Sequence, residues 1–140
     1  NKFVAGFLGS PPMNFIYGRI IRKDNFLYFE EGKFKVRIVK EMHNRLLPYL
    51  NKEVIFGIRP EDIHDKLFVS ELPPENIVKV IPEMIETIGS EAYLYLTAGR
   101  HNLISRIEAH NRPSLNQEME VVLDMGKAHF FDKDTEETIV

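Results

Sequence analysis

The sequence has no cysteine and no tryptophan. Without cysteine there is no disulfide bond, thiolate metal ligand or thiol nucleophile, and such a composition is typical of a reducing compartment. The sequence also has no long hydrophobic run, because charged residues interrupt every apolar stretch well before the roughly 20 residues that a membrane-spanning helix needs. No basic segment precedes an apolar core as in a signal peptide. The sequence therefore predicts neither a membrane span nor a secretion signal.

The motifs of nucleotide, ester and metal chemistry are also missing. No Gly-x-x-x-x-Gly-Lys-Ser/Thr segment occurs, and Gly9-Ser10 is followed by two prolines, which supply no N–H groups to hold a phosphate. No serine lies in a Gly-x-Ser-x-Gly elbow. The histidines lack metal-ligand spacing and are interpreted as surface or loop residues: His43, His64, His101, His110 and His129. The sequence predicts no catalytic residue, metal site or cofactor in this chain.

The charge distribution argues against a nucleic-acid ligand. The formal net charge is −3 at pH 7, whereas nucleic-acid affinity depends on cations that displace counterions from phosphates. Acidic pairs such as Glu30-Glu31 and Glu136-Glu137 lie at predicted turn or terminal positions. We interpret them as solvated surface and not as a paired catalytic acid and base.

Most of the chain has the composition and pattern of a β-rich domain. Hydrophobic residues make up 44% of the sequence and charged residues 28%, as in ordinary folded proteins. Runs rich in Phe, Tyr, Ile and Val alternate with turn-forming residues. The predicted strands are 15–22, 25–30, 33–39, 53–59, 77–88, 91–97, 101–109, 118–124 and 127–131. Many short strands with regular turns indicate a small barrel or sandwich.

Shorter features complete this interpretation. In residues 33–38, Lys33, Lys35 and Arg37 alternate with apolar residues, so a strand would expose cations on one face. Residues 40–50 predict a short helix or turn, and Pro60, followed by two acids, suits the first turn of another.

At the amino-terminal end, apolar residues spaced i,i+4 within 3–8 predict a short helix. Pro11 and Pro12 would end it.

The basic run also supports an alternative function. Phe26, Tyr28 and Phe29 precede its three cations, and small OB-type barrels bind single strands by stacking and positive charge. Alternating aromatics on a strand are more often core, and neighbouring glutamates oppose a phosphate backbone. An independent OB-type domain that binds single-stranded nucleic acid or an anionic ligand is therefore kept as the alternative. Storage of a small oxyanion by a related barrel ranks last, because no Ser-Ala-Arg-Asn type motif occurs.

Four stretches resemble one protein family. They are FVAGFLGSPPMNF at 3–15, FGIRPEDI at 56–63, ETIGSEAYLYL at 86–96 and HFFDKDTEETI at 129–139. In this order they resemble the C-terminal region of the ATP-hydrolysing subunit of carbohydrate ABC importers of the maltose and glycerol-phosphate type. The resemblance covers nearly the whole chain, and Gly-Ile-Arg-Pro-Glu is its most distinctive motif.

The resemblance implies a mainly β fold: an OB-fold-like barrel of the TOBE type, made of two small lobes, with a short N-terminal helix. Residues 1–12 would be a linker helix from a nucleotide-binding domain, and residues 13–140 the TOBE domain. ATP and magnesium would bind to that nucleotide-binding domain, because this chain encodes no phosphate loop. The chain itself would be non-catalytic.

The family's motif residues are carried over by position, with a structural or partner-contact role implied for each. They are Gly57, Arg59, Pro60, Glu61, Glu86, Gly89, Glu91, Phe131 and Asp132. At Arg59 and Glu61 two readings stay open, a latch within the turn or a contact to a partner protein. The chain departs from the family at Asp62, where histidine is usual, and at Glu136, where a turn glycine is usual.

The resemblance also implies partners and a location. The domain would pair with a second copy of the same subunit, pack on its own nucleotide-binding domain and work with transmembrane permease subunits through the full-length chain. Some members dock a regulatory protein here, and none of these partners is a nucleic acid. The protein would be cytoplasmic, peripheral on the inner face of the cell membrane. The implied function is a non-catalytic regulatory and dimerisation domain that supports ATP-driven carbohydrate uptake.

Overall fold

The structure is a computed structural model that describes residues 12–71 and 73–140. The described residues form ten strands in two five-stranded antiparallel sheets. The strands are β1 Asn14–Lys23, β2 Phe26–Glu30, β3 Lys35–Arg37, β4 Glu53–Ile58, β5 Ile63–Asp65, β6 Ile77–Ile88, β7 Glu91–Ala98, β8 His101–Glu108, β9 Met119–Leu123 and β10 His129–Asp132. The helix α1 is His43–Leu46, and 3₁₀ turns lie at Lys40–Met42, Leu47–Tyr49, Pro60–Asp62, Lys66–Phe68, Pro74–Asn76 and Met125–Lys127.

The first sheet is organised around its long central strand. Its strand order is β10-β4-β1-β2-β3. The carboxyl-terminal half of β1 pairs with β2 and its amino-terminal half with β4. Alternate residues of β1, including Ile16 and Ile20, are fully buried, which is the period expected of a strand with one face on the core.

The second sheet contains a strand that changes partner along its length. Its strand order is β5-β9-β6-β7-β8. In β6, residues Ile77–Val80 pair with β9, whereas Ile81–Ile88 pair with β7. An irregularity in the β6–β7 register lies between Pro82 and Met84, as expected where proline interrupts a ladder of hydrogen bonds. One edge of Ile77–Val80 is consequently left without a strand partner in the described part of the chain.

Both sheets bury their inner faces in one continuous core. Phe29 and Phe56 stack with ring centroids 4.9 Å apart, and Phe130 packs 5.4 Å from Phe56. The same cluster includes Leu96 and Val121 from the second sheet. The two lobes therefore share their hydrophobic core.

A buried asparagine also joins the sheets. The Asn14 amide nitrogen donates to the carbonyl oxygens of Ile58, at 3.1 Å, and Ile104, at 2.9 Å. The Ile104 N–H donates back to Asn14 Oδ1 at 2.8 Å. Asn14 thus forms hydrogen bonds with the main-chain N–H and C=O of Ile104 in β8, an edge strand of the second sheet.

The mainly β, OB-like architecture expected from the sequence is confirmed. So are the helical segment within 40–50 and the turn beginning at Pro60. The strand expected over 33–39 is shorter, Lys35–Arg37, and β5 at Ile63–Asp65 was not predicted. The helix expected within 3–8 lies outside the described residues, as does the linker expected over 1–12 except for Pro12.

Candidate interaction surfaces

Two of the motif residues meet where β4 pairs with β10. Gly57 lies opposite His129 in this pair and opposite Phe15 in the β1–β4 pair. A Cβ atom at Gly57 would lie 2.5 Å from Met13 Sδ and 3.0 Å from Phe131 Cε2. Phe131 is buried and packs edge-on against Phe15 at 5.8 Å. Glycine is required at position 57 because these side chains occupy the space that a side chain would need.

The chain then crosses to the second sheet through Pro60–Asp62. Pro60 is buried, and the Asp62 N–H closes the turn by donating to the Arg59 carbonyl oxygen at 2.9 Å. Arg59 and Glu61 are only partly buried. Among the described residues, neither side chain forms a hydrogen bond or an ion pair. A latch between Arg59 and Glu61 is therefore not observed, so the partner-contact reading stays open.

Asp62, the last residue of this turn, carries a buried carboxylate. Burial raises the pKa of Asp62 above its ordinary value, and Lys127, whose Nζ lies 3.8 Å from Asp62 Oδ1, offsets only part of that effect. Burial and the positive charge of Arg59 lower the pKa of the neighbouring His129. The exposed ammonium of Lys127 is thus the counter-charge in contact with the Asp62 carboxylate.

Asp132 holds the turn that follows β10. Its Oδ1 accepts from the N–H groups of Asp134, at 2.9 Å, and Thr135, at 3.0 Å, and Tyr49 Oη donates to Oδ2 at 3.1 Å. The backbone hydrogen bonds are the main reason why the pKa of Asp132 lies below its ordinary value. Glu136, where the family's glycine was expected, has a φ of 61°. The turn keeps the left-handed conformation that favours glycine even though a glutamate occupies it.

Glu86, Gly89 and Glu91 lie at the exposed tip of the β6–β7 hairpin. Gly89 has a φ of 63°. Tyr95 Oη donates to Glu86 at 3.2 Å, and Arg106 Nε lies 2.9 Å from Glu91. All of these partners belong to the same sheet, so the hairpin carries an acidic tip braced by its neighbours.

The structure thus distributes the nine motif residues over two regions. Gly57 and Phe131 are in contact, Arg59–Glu61 continue from the end of β4, and Asp132 lies at the other end of β10. The hairpin residues Glu86, Gly89 and Glu91 form a separate region on the second sheet.

A buried Glu–His pair was missed by the sequence interpretation. Glu31, expected at a solvated turn, has a fully buried side chain. Its carboxylate accepts from the N–H of Lys33 at 3.0 Å, from that of Arg100 at 2.5 Å and from His101 Nδ1 at 2.6 Å. The Tyr17 N–H donates to His101 Nε2 at 3.3 Å, so the imidazole carries its proton on Nδ1.

The Glu31–His101 pair explains why a glycine occupies position 99. That glycine was the feature of the sequence that could have pointed to the pair. Gly99 has a φ of 60°, and a Cβ atom there would overlap the Glu31 carboxylate. Burial raises the pKa of Glu31, but hydrogen bonds from His101 and the two backbone N–H groups outweigh it, so the pKa lies below its ordinary value.

The aromatic and basic residues of β2 and β3 are bound to one another. The Arg37 guanidinium lies 4.0 Å from the Phe26 ring centroid, and its Nη2 donates to Tyr28 Oη at 3.2 Å. Arg37 also pairs with Glu75 at 3.5 Å. The rings of Phe26 and Tyr28 are therefore covered by the protein's own cations, and Phe29 is buried in the core, which weakens the nucleic-acid hypothesis.

Neither a metal cluster nor a membrane helix is found within 12–71 and 73–140. No group of three His, Asp or Glu side chains there is arranged to hold a metal ion. No helix in the same ranges has the length and apolar character needed to cross a bilayer.

Comparison with known proteins relates the chain to sugar importers. A family model described as the MalK OB fold domain matches residues 9–63. The trehalose/maltose import ATP-binding protein MalK of Thermococcus litoralis is 41% identical over 99% of this chain and 37% of its own length. The oligosaccharides import ATP-binding protein MsmX of Bacillus subtilis is 41% identical over 97% of this chain and 37% of its own. The chain thus spans little more than a third of these relatives.

A solved structure shows the same fold at low identity. The cytoplasmic molybdate-binding protein ModG, crystallised with molybdate bound, superposes with a TM-score of 0.63 at 15% identity, over 84% of this chain and 94% of its own. This likeness concerns the fold alone. The sequence relatives establish the family: the chain belongs to the MalK OB fold domain family and corresponds to the OB-fold domain, not the ATPase domain, of sugar ABC importer ATP-binding subunits.

Proposed function

We propose that this chain is the regulatory and dimerisation domain of the ATP-binding subunit of a carbohydrate importer. Its similarity to sugar-import ATP-binding proteins along nearly its whole length is the observation that carries the proposal. ATP and magnesium bind elsewhere in the full subunit, and transmembrane permease subunits complete the importer. The subunit is cytoplasmic and peripheral on the inner face of the membrane.

The contribution of the domain is a protein contact that persists through the ATPase cycle. A contact between two copies raises the effective concentration of the two ATPase domains for each other. The Arg59–Glu61 turn supports this role, because its two charged side chains are partly exposed and have no partner within the described residues. Charged groups of this kind at an interface determine specificity and register more than affinity.

A chimera tests the proposal. The matching segment of the Bacillus subtilis MsmX protein is replaced by these 140 residues, and dimerisation, ATPase activity and oligosaccharide uptake are measured. We expect a dimer that supports uptake. The double variant Arg59→Ala/Glu61→Ala should weaken the dimer by about tenfold, as expected for loss of interfacial charges, while nucleotide binding is retained.

Arg22→Ala is the matched control, because Arg22 is exposed and makes no ion pair in the described part of the chain. A correctly folded chimera that fails to support uptake would contradict the proposed function. Equal dimerisation of the Arg59 and Arg22 variants would contradict only the assignment of this turn to the interface.

A further inference from the structure

An open groove lies between β3 and the first half of β6. Its volume is about 700 Å³. One wall is formed by Lys33, Phe34 and Lys35 and the other by residues 77–81, with Thr97, Gly99 and Glu118 completing the lining. The groove thus runs along the boundary between the two sheets, and its lining includes neither the Arg59–Glu61 turn nor the hairpin tip.

The groove is positively charged on both walls. Lys33, Lys35 and Lys79 are exposed, and none of them forms an ion pair with the residues that the structure describes. Lys35 Nζ lies 5.4 Å from the Tyr28 ring centroid. Glu118 is the single carboxylate among the lining residues. Among the lining residues, three ammonium groups against one carboxylate favour an anionic occupant. Of the glutamates on the neighbouring strands, Glu30 lies opposite Lys35, and Glu120, opposite Lys79, already pairs with Lys66 at 3.1 Å.

Main-chain groups are available on the same wall. Ile77–Val80 pair with β9 on one side, and β7 begins to pair with β6 only at Ile81. Across the groove, β3 is the edge strand of its sheet. The N–H and C=O groups of an unpaired strand edge match the spacing of another extended polypeptide.

We propose that this groove binds an extended acidic segment of a partner protein. The main chain of the segment pairs with Ile77–Val80, and alternate carboxylates contact the lysines on the two walls. The exposed side chain of Ile81 provides an apolar contact between them. This partner is distinct from the second copy of the subunit, and the proposal does not depend on the function proposed above.

The groove suits a polypeptide better than a single-stranded nucleic acid. Base stacking needs open aromatic faces, but Phe26 and Tyr28 are covered by cations, and Phe34 packs against the core. An unpaired strand edge complements a peptide backbone, which carries matching donors and acceptors, and not a sugar-phosphate chain.

Defined probes test the occupant. Fluorescence anisotropy compares a short peptide of alternating Glu and Val, the same peptide with Gln in place of Glu, and an oligo-dT of similar length. We expect the Glu peptide to bind at low salt, to weaken as salt is added, and to bind more tightly than either other probe. Tighter binding of oligo-dT, equal binding of the Gln peptide or no binding of the Glu peptide would overturn the proposal.

A pair of matched variants locates the site. K33Q/K79Q removes one cation from each wall, whereas K23Q/K52Q removes two exposed lysines outside the groove. We expect about tenfold weaker peptide binding for K33Q/K79Q, as for the loss of two surface ion pairs, and an affinity near wild type for K23Q/K52Q. Equal weakening in both variants would indicate non-specific attraction and contradict the proposal.

Backbone pairing has its own readout. Amide chemical shifts of Ile77–Val80 should change on peptide binding, and a Glu peptide N-methylated at alternate residues should bind several-fold less tightly, because each methyl group removes a main-chain donor. Unchanged shifts along β6, or equal affinity of the methylated peptide, would overturn the proposed strand addition.

Discussion

The Glu31 carboxylate is fully buried, and three N–H groups point at its oxygens. A carboxylate in a low-dielectric site is costly unless each oxygen accepts hydrogen bonds. Because these bonds lower its pKa in the folded state, Glu31 contributes stability above its unfolded-state pKa, near 4.5. That contribution is lost as the pH falls through the lower, folded-state pKa.

Glu31→Gln should therefore destabilise the chain in a pH-dependent way. At neutral pH we expect a loss of about 2–3 kcal/mol, because an amide cannot accept from all three donors. The difference from wild type should shrink as the pH falls through the folded-state pKa. Urea unfolding at several pH values measures it, with Glu30→Gln as the control. A difference that does not vary with pH would contradict this account.

Glu136 stores a small backbone strain at a position that favours glycine. Its φ of 61° is unfavourable for a residue with a Cβ atom. We expect Glu136→Gly to be more stable than Glu136→Ala by about 0.5–1 kcal/mol, since glycine relieves the strain but gains more freedom when unfolded. Both variants lack the glutamate side chain, so thermal unfolding of this pair isolates the backbone effect. Equal stability would show that the turn relaxes.

At the scale of elements, the β4–β10 pair depends on close packing around a glycine. Met13, Ile55 and Phe131 form a small buried cluster with Phe15 against it, and Gly57 leaves room for it. The family resemblance identified Gly57 as a motif residue without giving a reason. The structure supplies the reason, because the neighbouring side chains leave no room for a larger residue. The adjoining turn carries Arg59, whose side chain has no hydrogen-bond or ion-pair partner in the described part of the chain, so packing at Gly57 fixes where that side chain lies.

Gly57→Ala should destabilise the chain by about 1–3 kcal/mol through overpacking. The same substitution should cost less in a Met13→Ala background, because the nearest atom, Met13 Sδ at 2.5 Å, is then absent. A double-mutant cycle in urea measures this coupling. Additive effects would indicate that Phe131 or the backbone, and not Met13, resists the new methyl group.

At the scale of the whole molecule, the two sheets are joined by a shared core and by side chains that cross between them. Phe56 and Leu96 belong to one buried cluster although they lie in different sheets. Asn14 and the Glu31–His101 pair add hydrogen bonds across the boundary. We therefore expect the described residues to unfold as one cooperative unit.

Asn14→Ala tests this link. It leaves the N–H and C=O of Ile104 without their side-chain partner, and we expect a loss of about 2–3 kcal/mol. Amide exchange at Ile104 should become faster, while far-UV and near-UV unfolding transitions stay coincident. Asn102→Ala is the control, because Asn102 is exposed and lies in β8, the strand that contains Ile104. Separate transitions for the two sheets would contradict a single cooperative unit.

The sequence by itself determined most strands, most turns and the family. Alternating apolar residues are a local signal, so β1, β2, β4 and β6–β8 were predicted nearly to their ends. Four motifs in the expected order identified the family, and Gly-Ile-Arg-Pro-Glu was the most distinctive of them. The three-residue strand β5 was missed, since so short a segment carries no period of its own.

Only the tertiary structure decided which polar groups are buried and which strand edges stay open. Glu31 and His101 are 70 positions apart, and nothing local distinguishes them from surface residues. Arg37 was expected to be exposed on one face of its strand, but its guanidinium contacts Phe26, Tyr28 and Glu75. The groove beside β6 exists because that strand changes partner at Ile81. Such features depend on contacts between distant segments, which the periodicity of a single segment does not encode.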